Sequence, residues 1–210
     1  NTSKCEYLGA NIYYFDNELG VPTNQANDIA SPYKIIERNG FKIGIIGIIG
    51  RGQITSITSS NWENLTFVDP LSVVKRYSDE LRKEMQCDLV VLLAHASTSD
   101  LSDNFCNEVT SINEETSKPF IDCCFTGHAH ILENKEFNGV PFIQGGSKGE
   151  KVSHVEFDMR KEKPVVTKHE QLDVKTKKTD RKIDRLVNNY ITRSFKKKRL
   201  SIFKSLGLMG

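Results

Sequence analysis

Residues 42–49 read KIGIIGII, apolar almost throughout and dominated by isoleucine. A run of β-branched residues without polar alternation suits a strand covered on both faces, as in parallel sheets that lie between other layers. Asn39 and Gly40 immediately precede it. That pair tolerates the two successive positive φ values of a tight type I′ turn, so residues 33–49 read as a hairpin that delivers a central strand.

The next segments set the class. Asp69 and Pro70 supply a helix cap followed by proline at the first helical position. Val73, Val74, Tyr77, Leu81 and Met85 then recur at helical spacing, with Lys75, Arg76, Asp79, Glu80, Arg82 and Lys83 facing outward. Residues 88–94 form a second buried strand that ends in His95. A polar stretch over 96–118, with room for a short helix, leads to a third apolar strand over 120–125. That strand runs into Thr126, Gly127, His128, Ala129 and His130. Asn138 and Gly139 mark another hairpin, and residues 151–159 alternate like a strand. Strand, helix and strand in this order predict an α/β fold.

Composition bounds what the chain can do. At 210 residues, 38% hydrophobic and 27% charged, it can bury a core. Its longest apolar run, about seven residues, is far from the roughly 20 needed to span a bilayer. The net charge of +2 conceals two unlike parts: residues 1–159 carry 13 Lys and Arg against 22 Asp and Glu (−9), and residues 160–210 carry 16 against 5 (+11). Within the basic part, residues 180–206 place Ile183, Leu186, Val187, Tyr190 and Ile191 on one helical stripe, the pattern of an amphipathic helix in need of a partner. The five cysteines form no CxxC pair, which argues against a zinc ribbon, a redox motif or a complete disulfide framework. Cys123 and Cys124 read as small buried hydrophobes. The chain opens at Asn1 without the features of a leader peptide and reads as starting within something longer. Asn1 and Asn64 lie in glycosylation sequons that matter only in a secretory host.

His95 and His128 carry the functional argument. Each follows the end of a buried strand, and in open α/β sheets ligands gather outside the carboxyl ends of the strands. His130 lies two residues further on, so three imidazoles can converge on one rim, a donor set suited to zinc, manganese or iron. The alternative is a set of hydrogen-bonded surface histidines. His154 in mid-strand and His169 in the basic segment read as structural.

Five segments carry a family resemblance: GANIY at 9–13, the hairpin at 33–47, residues 67–95, IDCCFTGHAH at 121–130 and NGVPFIQGGSKGEKVSHVEFD at 138–158. In this order they resemble the second half of the calcineurin-like metallophosphoesterase domain of the 5′-nucleotidase family, which includes UDP-sugar hydrolases and 2′,3′-cyclic nucleotide phosphodiesterases. The resemblance implies part of a four-layer α/β/β/α sandwich over residues 1–158 and a basic linker and helix over 159–210 leading towards a C-terminal substrate domain. It implies two divalent ions (zinc, manganese, iron or cobalt), with His95 and His128 on one and His130 on the other. It also implies in-line hydrolysis of a nucleotide phosphate ester by a metal-activated water. Asn11 matches a family motif residue without a metal role, and Asp100, Asp103 and Asp122 lie outside the family's ligand positions.

The family's upstream Asp-x-His and GNH motifs do not occur here. Two dications about 3.5–4 Å apart repel, and neutral imidazoles bring no charge to offset that repulsion. The chain is therefore expected to be a fragment, inactive alone, that lacks the N-terminal half of the metal site and the C-terminal domain. Such a half-domain is expected to expose an apolar face and to self-associate. Two other readings differ in class: a mononuclear zinc protein using His95, His128 and His130, or a non-enzymatic module whose basic segment binds nucleic acid or an anionic membrane. Family resemblance alone places relatives outside the cell, at its surface or in the periplasm.

Overall fold

Both Asn-Gly pairs turn as their chemistry favours. Asn39 and Gly40 have φ of 52° and 82°, and Asn138 and Gly139 have φ of 50° and 78°. They close the antiparallel hairpins β3 (Tyr33–Arg38) with β4 (Phe41–Ile49), and β10 (Leu132–Phe137) with β11 (Val140–Gly145). The structure, a computed structural model, describes residues 6–56, 64–161, 163–174, 181–182, 185–186, 188–190 and 192–193. Earlier in the chain, β1 (Ile12–Asp16) and β2 (Val21–Gln25) pair with β5 (Leu65–Phe67) in a three-stranded sheet of order β2-β1-β5.

The main sheet has six strands in the order β10-β11-β9-β6-β4-β3, where β6 is Leu89–His95 and β9 is Cys123–Thr126, with β7 (Ile112–Asn113) and β8 (Lys118–Pro119) paired separately between them in sequence. Its four inner strands run parallel, and the two hairpins add an antiparallel strand at each edge. The third strand thus starts three residues later than the sequence run suggests and includes Thr126; Ile121 and Asp122 ahead of it are buried.

One face of this sheet is covered by helix α1 (Pro70–Asp79), the π-helical turn Glu80–Glu84 that continues it, and helix α3 (Asp103–Thr110). Pro70 opens α1 and the Asp69 carboxylate accepts from the Ser72 N–H at 3.4 Å. Val73, Val74, Tyr77 and Leu81 pack with Ile46, Val90, Leu92, Cys124, Phe105 and Val109 in the core.

The glycines of β4 explain how it can be covered twice. A Cβ on Gly44 would stand 2.7 Å from Leu81 Cδ1, and one on Gly47, on the opposite face, would stand 2.4 Å from Leu8 Cβ. The segment at Leu8 and Ala10 thus lies directly on β4, with the Ala10 N–H donating to Gly47 O at 2.6 Å. Asn11 is buried and ties the end of β4 to the strand before α1: its Nδ2 donates to Ile49 O (2.9 Å) and Val68 O (3.3 Å), and its Oδ1 accepts from the Ile49 N–H (3.0 Å).

Among the described residues of the first 173, the second face is covered at its sides. Strand β12 (Lys151–Asp158) pairs with β13 (Val165–Asp173), a strand formed by residues that composition alone groups with the basic linker. Gln171 in β13 donates to Glu133 O (2.9 Å) and Gln144 O (2.6 Å), fastening this ribbon to β10 and β11. Between the ribbon and Leu8, Leu93 of β6 is 40% exposed and Phe125 is half-buried.

The chain divides into two compact units, Asn1–Asp173 and Val174–Gly210. In the second, the described positions from 181 to 193 are helical, with Leu186 and Tyr190 exposed. Ile183, Val187 and Ile191 of the expected apolar stripe lie outside the described residues, as do Asn1 and Cys5. Cys87, Cys106, Cys123 and Cys124 are buried free thiols. Among the described residues, no helix is long and apolar enough to cross a membrane.

Candidate metal centre

Strands β6 and β9 are neighbours and parallel, with Ala94 opposite Thr126, so their carboxyl ends open side by side. The loops that leave them are joined by a hydrogen bond from the Gly127 N–H to Ala96 O (3.1 Å). His95 sits just before this joint and His128 just after it. Their rings meet edge to face with centroids 4.9 Å apart, and His128 Nδ1 lies 3.1 Å from His95 Nε2.

That separation can be tested against a metal. Two imidazole nitrogens bound to one zinc at ~2.0–2.1 Å, at angles between octahedral and tetrahedral, stand ~2.9–3.4 Å apart. The pair at 3.1 Å fits two ligands of one ion, and without an ion the same spacing makes a hydrogen bond. His95 is held below its ordinary pKa of 6.5, first by burial and then by repulsion from His128 and His130. Both causes favour the neutral ring, the form that offers a lone pair.

His130 is exposed and does not join the pair. Among the described residues, no group of three or more His, Cys, Asp or Glu stands close enough to hold a metal ion. His128 and His130 both adopt left-handed backbone, φ 68° and 58°. Such conformations cost of order 1–3 kcal/mol each and persist where surrounding bonds impose them. The His130 N–H donates to the side chain of Gln144 (3.1 Å), and the Ala129 N–H donates to Gly127 O (2.8 Å).

The nearby acids are engaged in structure. Asp100 and Ser97 form a reciprocal capping box at the start of helix α2 (Thr98–Leu101), and the Ser97 N–H and hydroxyl on the Asp100 carboxylate lower its pKa. Asp103 opens α3. Asp122 lies at the entry to β9, remote from His128 along the strand, and pairs with Arg82 at 2.7 Å. His154 faces Glu170, and His169 contacts Asn134 and Glu136 in the β12–β13 ribbon and its neighbour β10.

The fold recurs in solved structures. The chain superposes on a putative 5′-nucleotidase from Staphylococcus aureus with a TM-score of 0.58 and 21% identity, covering 87% of this chain and 36% of that one. It superposes on the calcineurin-like phosphoesterase YfkN from Bacillus subtilis with a TM-score of 0.62 and 20% identity, covering 91% and 62%. This is the calcineurin-like phosphoesterase fold of the 5′-nucleotidases.

In sequence, the chain is 25% identical over 129 residues to the endonuclease YhcR of Bacillus subtilis, 61% of this chain and 10% of that protein. The chain thus spans a small part of the curated relative it matches. No protein-family model matches it. The resemblance read from the GHAH turn and the hairpins is borne out at the level of the phosphoesterase fold, as is the α/β class. Two residues beside the centre escaped sequence reasoning, Gln144 and Glu133. Each is a single polar residue within a strand, and no spacing links it to the histidines.

Proposed function

We propose that this chain is part of a metal-dependent phosphoesterase of the 5′-nucleotidase type that hydrolyses nucleotide phosphate esters. The observation that carries the reading is the 3.1 Å approach of His95 Nε2 and His128 Nδ1 at the carboxyl ends of adjacent parallel strands. In this reading His95 and His128 hold one divalent ion, and His130, outside the pair, serves a second. The ions supply neutralisation of phosphoryl charge and activation of a water. The chain's own part is to hold neutral imidazoles in fixed register. The lowered pKa of His95 supports that role, because a protonated ring has no lone pair to give.

The reading assigns the remaining ligands to segments carrying Asp-x-His and GNH motifs, which this sequence lacks, and substrate choice to a further domain. It follows that the 210-residue chain turns over neither nucleotides nor p-nitrophenyl phosphate with added manganese. A longer protein that carries those motifs should hydrolyse them. There, His128→Ala should lower kcat/KM by more than the 10–100-fold typical of losing a group that merely supports a metal ligand. Hydrolysis by the 210-residue chain that disappears with His128→Ala would overturn the division of the site.

A further inference from the structure

Strand β10 turns a charge inward where packing alone would favour an apolar residue. Of Leu132, Glu133, Asn134, Lys135 and Glu136, only Glu133 is buried, its side chain 2% exposed. A carboxylate in such a place is unfavourable by several kcal/mol unless its oxygens are satisfied. They are. Oε1 accepts from the Thr98 hydroxyl (2.5 Å) and lies 3.5 Å from Lys135 Nζ, and Oε2 accepts from the Thr98 N–H (3.2 Å) and the Thr126 hydroxyl (3.0 Å). Lys135 Nζ also donates to Thr98 Oγ1 (2.8 Å), which closes the network.

The partners have a positional meaning. Thr98 opens α2, three residues after His95, and Thr126 ends β9, two residues before His128. One carboxylate therefore grips both loops that carry the rings, on the far side of the Gly127–Ala96 hydrogen bond. The two hydroxyls can donate or accept, but each carboxylate oxygen also faces a group that can only donate, Lys135 Nζ beside Oε1 and the Thr98 N–H on Oε2, so a glutamine would set its NH2 against one of them in either orientation.

We propose that Glu133 is a positioning residue that sets the His95–His128 geometry by locking the strand ends through Thr98 and Thr126. The proposal deepens the metal-centre reading and rests on it for its functional meaning, while the geometry itself can be measured without metal. Long-range 15N NMR of the histidine rings in the metal-free 210-residue chain reads the proton shared between His128 Nδ1 and His95 Nε2. Glu133→Gln and Thr126→Val should each abolish that signature, and Thr126→Ser, which keeps the hydroxyl, should retain it. Val109→Ala, a cavity in the core at a residue that makes none of these hydrogen bonds, should leave it in place although the chain is destabilised.

Manganese added to the same samples should bind the Glu133→Gln chain about 10-fold more weakly, within the range for groups that orient metal ligands. An unchanged ring signature in Thr126→Val, or an equal loss in Val109→Ala, would overturn the proposal. If Glu133→Gln does not fold, the Thr126 pair decides alone. Absence of manganese binding by the unsubstituted chain would count against the metal reading only, and the shared-proton criterion would still judge Glu133.

Discussion

Arg82 and Asp122 make an ion pair whose side chains are 3% and 8% exposed. Arg82 also donates to Asp88 O (3.0 Å) and Pro119 O (3.2 Å), and Asp122 accepts from the Val90 N–H (2.6 Å). Burial pushes the Asp122 carboxyl up, while Arg82 and the Val90 N–H pull it back. Removing one partner leaves an uncompensated buried charge, so Asp122→Ala should lower urea stability by about 3–5 kcal/mol. At the other end of the strands, His95 should titrate in an NMR series below its ordinary 6.5. The unfolded chain then binds that proton more readily than the folded one. Stability from this group is therefore complete above pH 6.5 and declines as pH falls through the depressed folded value.

At the scale of elements, glycine decides how closely layers approach. Gly47→Ala would set a Cβ 2.4 Å from Leu8 Cβ and 2.9 Å from the Leu8 carbonyl carbon. It should destabilise the chain by about 1–3 kcal/mol, as overpacking does, and loosen the Asn11 tie to Ile49. Denaturant unfolding, with amide exchange at Ile49, checks both. The hairpins, α1 and the strand-end histidines were legible because turn chemistry, helical spacing and apolar runs are local signals. The small sheet β2-β1-β5 was not, because β2 reads VPTNQ, with no strand pattern. Strand β13 was hidden for a similar reason: its lysine, histidine and glutamates look like solvated charge until β12 is beside them. Glu133 and Gln144 act on residues 35 and 14 positions away, a separation that leaves no periodic trace.

For the molecule as a whole, the exposed apolar stretch of the main sheet around Leu93 carries the consequence. Leu93, 40% exposed, lies with Phe125, Leu8 and Tyr7 along a cleft of about 360 Å³ that reaches His95. An apolar face of this kind promotes association. The 210-residue chain should self-associate with concentration in sedimentation experiments, and Leu93→Lys should shift it towards monomer. A monomer at all concentrations would contradict the half-domain account. The same rim bears the central claim, that His95 and His128 are two ligands of one metal. Its most direct measurement is manganese-induced broadening of the histidine ring signals, with His154 and His169 as internal references. The account predicts that substoichiometric manganese broadens His95 and His128 and spares those two. Equal broadening of all four, or none at His95 and His128, would contradict it.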